Sequence, residues 1–317
     1  MQPLKMDDRE EHHRVEDPKT GLSLFLRRVP PLSGARRPVL YVHGATFPSA
    51  MSVAHRFPEG SWRDALGRAG LDVWALDFLG FGHSDREPAM ADPAEDNGPL
   101  LLAAEAAGQL EAAVRHVHAI TDGAHVSLLT HSWGSMPACL LAGRHPDLID
   151  RLVLFAPIAR RDPPRYLPRP DGPAWRIITA QAQWDRFVED VPASEPPVLS
   201  RSEFEDWAGR YLDTDPDSRA RDPHGVKVPS GPFVEILRAW HGELPYDPGL
   251  VRSPLCIVRG EWDGLATDAD ARWLFDAFSG SPDRRDVKLG RGTHLMHLEA
   301  GRGALWQASA AFLGEPT

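Results

Sequence analysis

One stretch restricts the possible folds of this chain more than any other: the apolar run at residues 126–129 ends in T-H-S-W-G, and small residues typical of a helix follow. A strand, a tight turn and a helix in this order are the setting in which a serine becomes a nucleophile. The turn would hold Ser132 in a strained backbone conformation and direct the first helical amides toward its hydroxyl. Thr130 replaces the first glycine of the usual G-x-S-x-G pattern, whereas Gly134 fits because a side chain there would collide with the incoming strand. Short motifs also occur by chance, so the prediction depends on the segments that accompany this one.

Length and charge restrict the class of protein. The 317 residues suffice for one large α/β domain or for a core with an inserted subdomain. A formal net charge of -10 argues against nucleic acids and anionic membranes as partners, because both require clustered lysine and arginine. Residues 1–17 are too charged for a secretory signal, and no apolar run approaches the ~18 residues of a membrane span. We expect a soluble cytoplasmic monomer or homodimer that acts on a small molecule, without a membrane partner.

The cysteines and histidines do not indicate a metal site. Cys139 and Cys256 fall in apolar segments, so we expect two buried free side chains rather than a disulfide. Two cysteines are also too few for a zinc site made of cysteines. His297 follows His294 by three residues, which would suit a metal pair only in a helix with a third ligand nearby, and none is evident. The sequence therefore predicts no metal and no organic cofactor.

Apolar strands and helices alternate along most of the chain. After an N-terminal hairpin, the pattern predicts buried strands at 38–42, 71–77, 126–129, 152–157, 254–258 and 286–289, and helices at 61–70, 100–121, 136–144, 268–278 and 303–313. The strands are continuous apolar runs, as expected for parallel strands that are covered on both faces. The predicted fold class is α/β, with a mostly parallel central β-sheet flanked by helices.

The alternation stops between residues 159 and 251. This segment has no comparable strand pattern; it has proline-rich joints, including one at 163–170, and three predicted helices at 174–187, 202–212 and 232–240. We therefore expect a core made of residues 1–158 and 252–317, separated by a helical cap at 159–251, called the insertion below.

Four of the ten tryptophans lie in the insertion: Trp175, Trp184, Trp207 and Trp240. A lid with aromatic side chains suits an apolar substrate pocket, so we expect these four, together with Phe47 in the loop after residues 38–42, to contact substrate. Each tryptophan could instead serve only to fix the insertion to the core.

The loop after residues 38–42 begins with His43-Gly44. In serine hydrolases, one backbone N–H of the oxyanion hole comes from the residue after the nucleophile. The second comes from a loop that follows a strand end of this kind. The two donors would be the backbone N–H groups of Ala45 and Trp133. The alternative is that His43-Gly44 is only a turn at the end of a strand.

Two more polar residues follow predicted strands near the end of the chain. Asp263 comes just after the strand at 254–258, and His294 follows the strand at 286–289. Because parallel strands end at the same edge of a sheet, Ser132, Asp263 and His294 can converge there. Their order along the chain, serine then aspartate then histidine, is that of one particular triad arrangement.

In these motifs the chain resembles the α/β-hydrolase superfamily, in the branch with a helical cap between the sixth and seventh core strands. The resemblance covers about residues 37–312 apart from the cap. It implies that Ser132 is the nucleophile, Asp263 the acid, His294 the base, and the amides of Ala45 and Trp133 the oxyanion hole. Asp162 occupies a region that some members of the family use for the acid, so it is the alternative to Asp263.

The resemblance implies a serine hydrolase that forms an acyl-enzyme, with His131 as a packing residue beside the nucleophile. Carboxylic esters or lactones of small to medium apolar substrates are the preferred interpretation. The elbow also resembles that of proline iminopeptidases, although their Gly-Gly-Pro loop is replaced here by Ala45-Thr46-Phe47. An amidase, a carbon-carbon bond hydrolase, a cofactor-free perhydrolase and a ligand receptor on a hydrolase scaffold remain alternatives.

Overall fold

An eight-stranded sheet forms the centre of the structure, a computed structural model that describes residues 5–31, 37–162 and 171–316. Its strands are β1 Glu11–Glu16, β2 Ser23–Val29, β3 Arg37–Val42, β4 Leu71–Asp77, β5 Val126–His131, β6 Ile149–Phe155, β9 Leu255–Gly260 and β10 Arg284–Leu289. They lie in the order β1-β2-β4-β3-β5-β6-β9-β10. The hairpin of β1 and β2 pairs antiparallel to β4, and every later pair in the sheet is parallel. The α/β fold with a mostly parallel sheet is therefore confirmed.

Helices cover both faces of the sheet, and the alternation of side chains along each strand explains why. Val39 and Tyr41 of β3 belong to an apolar cluster with residues of two helices, α1 Trp62–Arg68 and α8 Arg302–Gly314. Leu40 and Val42, one position along, belong to the opposite cluster, which includes residues of α2 Ala103–Ile120, α3 Ser135–Arg144 and α7 Asp268–Ala277. Both faces of β3 are thus buried, as its continuous apolar sequence predicts.

The insertion joins β6 to β9, and its described residues add no strand to the main sheet. It contains α4 Ala180–Val188, α5 Arg201–Leu212 and α6 Gly231–Trp240. The predicted helices at 202–212 and 232–240 are confirmed by α5 and α6. The proline-rich joint predicted at 163–170 lies outside the described residues.

The prediction that a helix begins at residue 174, in an insertion made of helices, is wrong. β7 Trp175–Thr179 pairs antiparallel with β8 Gly225–Pro229 to form a small second sheet. The sequence W-R-I-I-T consists largely of aromatic and β-branched residues, which favour a strand over the first turn of a helix. The helix predicted from residue 174 therefore begins only at Ala180, where the Thr179 hydroxyl accepts a hydrogen bond from the backbone N–H of Ala182.

Candidate active site

The strained turn predicted at Ser132 is present. Ser132 directly follows β5 and has φ of +55°, in the left-handed region that a serine rarely adopts. Gly134 is required, as predicted, but the obstacle is a neighbouring strand rather than the incoming one. A Cβ on Gly134 would lie 2.5 Å from the carbonyl oxygen of His43 and 2.8 Å from that of Val42, at the end of β3. The close approach of β3 to this turn therefore excludes any side chain at Gly134.

Ser132, His294 and Asp263 lie together at the carboxyl edge of the sheet. The Oγ of Ser132 is 2.8 Å from Nε2 of His294, and Nδ1 of His294 is 3.0 Å from both carboxylate oxygens of Asp263. With the imidazole proton on Nδ1, the ring donates to Asp263 and accepts from the serine hydroxyl. All three residues are at least 95% buried. The arrangement can therefore transfer a proton from Ser132 to His294 with little competition from water.

The Asp263 carboxylate is held ionised by its neighbours. Burial raises its pKa, but the charge of His294 and hydrogen bonds from His294 and from the backbone N–H groups of Leu265 and Ala266 outweigh this and keep the pKa below the usual range. The alternative acid, Asp162, has a 97% exposed side chain and lies 3.7 Å from Arg160. The structure therefore brings Asp263, and not Asp162, to the histidine.

The loop that carries His294 is fixed by a buried acid that the sequence did not reveal. The backbone N–H of Thr293 donates to Glu299 Oε2 at 3.1 Å, and the Thr293 hydroxyl donates to Glu299 Oε1. Burial raises the pKa of Glu299 to about 7 although these hydrogen bonds lower it. Nothing in the local sequence distinguishes Glu299 from a surface glutamate, because the side chain is buried only when the loop folds back on it.

The loop after β3 lies against the nucleophile. A Cβ on Gly44 would be 3.2 Å from Cβ of Ser132 and 3.1 Å from Nδ1 of His131. His43 fixes this loop, because its Nδ1 donates to the carbonyl of Gly44 at 2.8 Å and its Nε2 accepts from the backbone N–H of Phe78 at 3.1 Å. The next residue is Ala45. The loop therefore lies where a second backbone donor to a tetrahedral intermediate is needed.

His131 and His297 are two buried rings that pack against each other close to His294. His131 packs on Phe155, with ring centroids 5.0 Å apart, and its Nε2 donates to the carbonyl oxygen of His294 at 3.0 Å. His297 lies 4.5 Å from the ring of His131 and 5.9 Å from that of Phe47. Burial, followed by the charge of a neighbouring histidine, lowers the pKa of both rings, so both are neutral. His131 therefore supports the backbone that carries His294.

The aromatic residues predicted to contact substrate lie in different places. Phe47 and Trp207 are both buried, and their rings are 5.2 Å apart. The indole N–H of Trp207 donates to the carbonyl of Met51 at 2.9 Å, which links α5 of the insertion to the core. The contacts of the remaining three tryptophans do not involve Ser132, His294 or Asp263. The indole N–H of Trp175 donates to the carbonyl of Asp92, Trp184 packs on Phe204, and the Arg161 guanidinium lies over Trp240.

Two charged side chains of the insertion, which the sequence did not single out, also lie at the site. Nη1 of Arg186, on α4, donates to the Thr46 hydroxyl at 2.8 Å. Oε2 of Glu235, on α6, accepts from the indole N–H of Trp133 at 3.0 Å and from the backbone N–H of Ala103 at 2.7 Å. Glu235 shares the stretch P-F-V-E-I-L-R-A-W with a second charged residue, Arg238, so the sequence does not mark it out. These contacts bind the insertion to both predicted oxyanion segments.

Within the described ranges, no group of three histidine, cysteine or acidic residues is placed to hold a metal ion. Cys139 and Cys256 are both buried and free, as predicted. No helix in the described part of the chain is long and apolar enough to cross a membrane.

Comparisons with known proteins agree with this fold. A family model described as the alpha/beta hydrolase fold matches residues 37–300. A probable lysophospholipase of Arabidopsis thaliana, BODYGUARD 3, is 31% identical over 151 residues, which are 47% of this chain and 26% of that protein. The match to this relative therefore spans about a quarter of the relative's length.

Solved structures of low sequence identity share the fold. A serine hydrolase involved in carbazole degradation, the CarC enzyme, is 18% identical with a TM-score of 0.63, and the match covers 96% of this chain and 98% of that one. A thioesterase domain from the curacin biosynthetic pathway is 16% identical with a TM-score of 0.61, covering 96% and 99%. A monoacylglycerol lipase of Paleococcus ferrophilus is 17% identical with a TM-score of 0.55, covering 96% and 98%.

Proposed function

We propose, since this chain belongs to the α/β-hydrolase fold family, that it hydrolyses carboxylic esters or lactones of small to medium apolar substrates through an acyl-enzyme on Ser132. The observation that carries the proposal is the chain of short contacts from Ser132 through His294 to Asp263. A serine at this position favours acyl transfer, in which the nucleophile, the base and the residue that orients the base act in sequence.

In the first half of the reaction, Oγ of Ser132 bonds to the ester carbonyl carbon while its proton passes to Nε2 of His294. The imidazolium is stabilised by the ionised Asp263. When the tetrahedral intermediate collapses, the carbon-oxygen bond to the alcohol breaks and His294 returns the proton to the leaving oxygen. In the second half, water attacks the acyl carbon with His294 as the base, and Ser132 leaves with the proton.

The negative oxygen of the intermediate would be held by the backbone N–H groups of Ala45 and Trp133. Support comes from the contact between Gly44 and Ser132 and from the turn that begins at Ser132. In the part of the chain that is described, neither amide donates a hydrogen bond to another residue. Donors that are already fixed in place before the reaction contribute about 10²- to 10³-fold each to turnover.

The insertion, residues 159–251, would exclude water and select the substrate without taking part in the bond changes. Its contacts with Thr46 and Trp133, on both sides of Ser132, support this role. Phe47 and Trp207 would form the apolar wall, and Trp175, Trp184 and Trp240 are the further positions that we propose for substrate contact. The chemistry requires no metal and no organic cofactor.

A substrate screen tests the proposed function. Chromogenic esters and lactones of increasing acyl and alcohol size would be assayed beside prolyl amides and other aminoacyl amides. A vinylogous 1,5-diketone would test for hydrolysis of a carbon-carbon bond. We expect esters or lactones to give the highest kcat/KM and Ser132→Ala to abolish their turnover, whereas Ser127→Ala, a buried serine earlier in β5, should retain it. A clear preference for aminoacyl amides would instead identify an aminopeptidase, and turnover by Ser132→Ala would contradict the mechanism.

A further inference from the structure

A guanidinium from the insertion lies beside the reacting centre. Arg186, on α4, donates from Nη1 to the hydroxyl of Thr46 at 2.8 Å and to Oε1 of Gln183 at 3.3 Å. Thr46 is buried and directly follows Ala45, the proposed oxyanion donor. The positive charge also acts on His131 and on Asp263, both next to the base. Arg186 therefore holds its charge on the side of the site where the reacting carbonyl would bind.

This guanidinium has no dedicated counter-ion. Among the described residues, no carboxylate lies within 4.0 Å of the Arg186 guanidinium. Both of its hydrogen bonds to described residues come from Nη1, so Nε and Nη2 have no acceptor among them. By contrast, Arg161 nearby donates to both carboxylate oxygens of Asp270, at 2.9 and 2.6 Å. Two of the acidic groups whose charge reaches Arg186 are engaged elsewhere: Asp263 with His294, and Asp190 with the backbone N–H of Gly264. Glu189, the third, is exposed.

An uncompensated cation in such surroundings is costly. Burial lowers the pKa of Arg186, and the nearby carboxylates offset this only in part. The Arg186 side chain is partly buried, and a charge that is partly removed from water without a partner destabilises the folded protein unless a ligand supplies the opposite charge. Nε and Nη2 of Arg186 donate to no described residue, and neither atom is fully enclosed by protein. These two donors therefore remain open to a ligand. They belong to the planar fork that binds carboxylates through two parallel hydrogen bonds.

We propose that Arg186 binds a carboxylate of the substrate, so that the preferred substrates are apolar esters that carry a carboxylate within a few bonds of the scissile carbonyl. This inference rests on the proposed function and narrows its substrate class. Half-esters of dicarboxylic acids carry this carboxylate on the acyl side, and esters of hydroxy acids carry it on the alcohol side. A second reading of the same contacts is that Arg186 only ties α4 to Thr46, and the experiment separates the two.

The experiment compares two pairs of esters in which a carboxylate is exchanged for a neutral amide of nearly the same shape, with the rate of each ester in the absence of protein subtracted. The acyl-side pair is the p-nitrophenyl monoester of glutaric acid, which carries a free carboxylate, and the p-nitrophenyl ester of glutaric acid monoamide, which carries a neutral amide instead. The alcohol-side pair is p-carboxyphenyl acetate and p-carbamoylphenyl acetate. In one of the pairs we expect the protein to favour the carboxylate over the amide by about 10- to 100-fold in kcat/KM, the range of a charge-assisted hydrogen bond. The pair that responds locates the carboxylate.

Substitution of the arginine should remove this preference selectively. We expect Arg186→Met to lower the carboxylate-to-amide ratio to about 1, and Arg186→Lys to keep part of the ratio. Arg219→Met, an exposed arginine of the insertion that is paired with Asp213, should leave the ratio unchanged. Equal losses on both members of a pair would show a structural tether and overturn the inference, as would the absence of a preference in the unmodified protein. Failure to hydrolyse any of the four esters would overturn the proposed function and the inference with it.

Discussion

Glu299 should make the stability of this protein depend on pH in a direction opposite to that of most carboxylates. The side chain is fully buried, its pKa lies near 7, and the ordinary value is 4.5. The folded protein therefore binds the proton more tightly than the unfolded chain does. Its contribution to stability is fully present below the unfolded pKa and is lost as the pH rises through the folded pKa. The difference between about 7 and 4.5 corresponds to about 3 kcal/mol of stability.

Urea unfolding of the unmodified protein and of Glu299→Gln at pH 4 and at pH 8 measures this contribution. The glutamine keeps an oxygen acceptor for Thr293 and cannot ionise. As the pH rises from 4 to 8, the unmodified protein loses the contribution of protonated Glu299 and the variant does not. We therefore expect the unfolding free energy of the variant to rise by up to about 3 kcal/mol relative to that of the unmodified protein over this range. Glu205→Gln, an exposed position on α5, is the matched control for the amide itself. A difference between Glu299→Gln and the unmodified protein that stays constant from pH 4 to pH 8 would refute the reasoning.

Three other substitutions test single contacts. Asp263→Asn should lower kcat by about 10⁴-fold in an ester assay, because the base loses its correct tautomer; a loss below tenfold would exclude it as the acid. Gly134→Ala should destabilise the fold in thermal unfolding by at least about 3 kcal/mol because its Cβ meets backbone atoms, whereas Gly108→Ala, in open space within α2, should be neutral or stabilising. Glu235→Leu should lower kcat about 10- to 100-fold with KM little changed, because Trp133 loses its acceptor, and Glu235→Gln should restore most of it. Equal kcat in all three Glu235 forms would show that this contact does not position the Trp133 amide.

The sequence predicts those parts of the fold and the site that depend on local pattern. Continuous apolar runs predict the buried strands, and their common polarity brings Ser132, Asp263 and His294 to one edge. Glycine at 134 is predictable because the turn is a short-range constraint, although the atoms that exclude a side chain belong to another strand. β7 is not evident from the sequence because W-R-I-I-T is a short segment that runs directly into a helix, and its partner β8 lies about fifty residues away.

Arg186, Glu235 and Glu299 were not predictable for a different reason. Each is an ordinary charged residue in its own segment. Glu299 acquires its role when its loop folds back on Thr293, six residues away, and the other two acquire theirs through long-range contacts. Glu235 reaches Trp133 across 102 positions of the chain, and Arg186 reaches Thr46 across 140. A single sequence records no such pairing, whereas burial of a charge in the folded protein reveals it directly.

Covalent labelling distinguishes Ser132 as the nucleophile from every other serine of the chain. The protein would be treated with a fluorophosphonate at neutral pH, digested, and mapped by tandem mass spectrometry. We expect one label, on Ser132, with labelling much slower in His294→Ala because the hydroxyl then has no base, and unchanged in Ser127→Ala. A label on another residue, or a folded protein that takes up no label, would contradict the assignment of Ser132, His294 and Asp263 as the catalytic machinery.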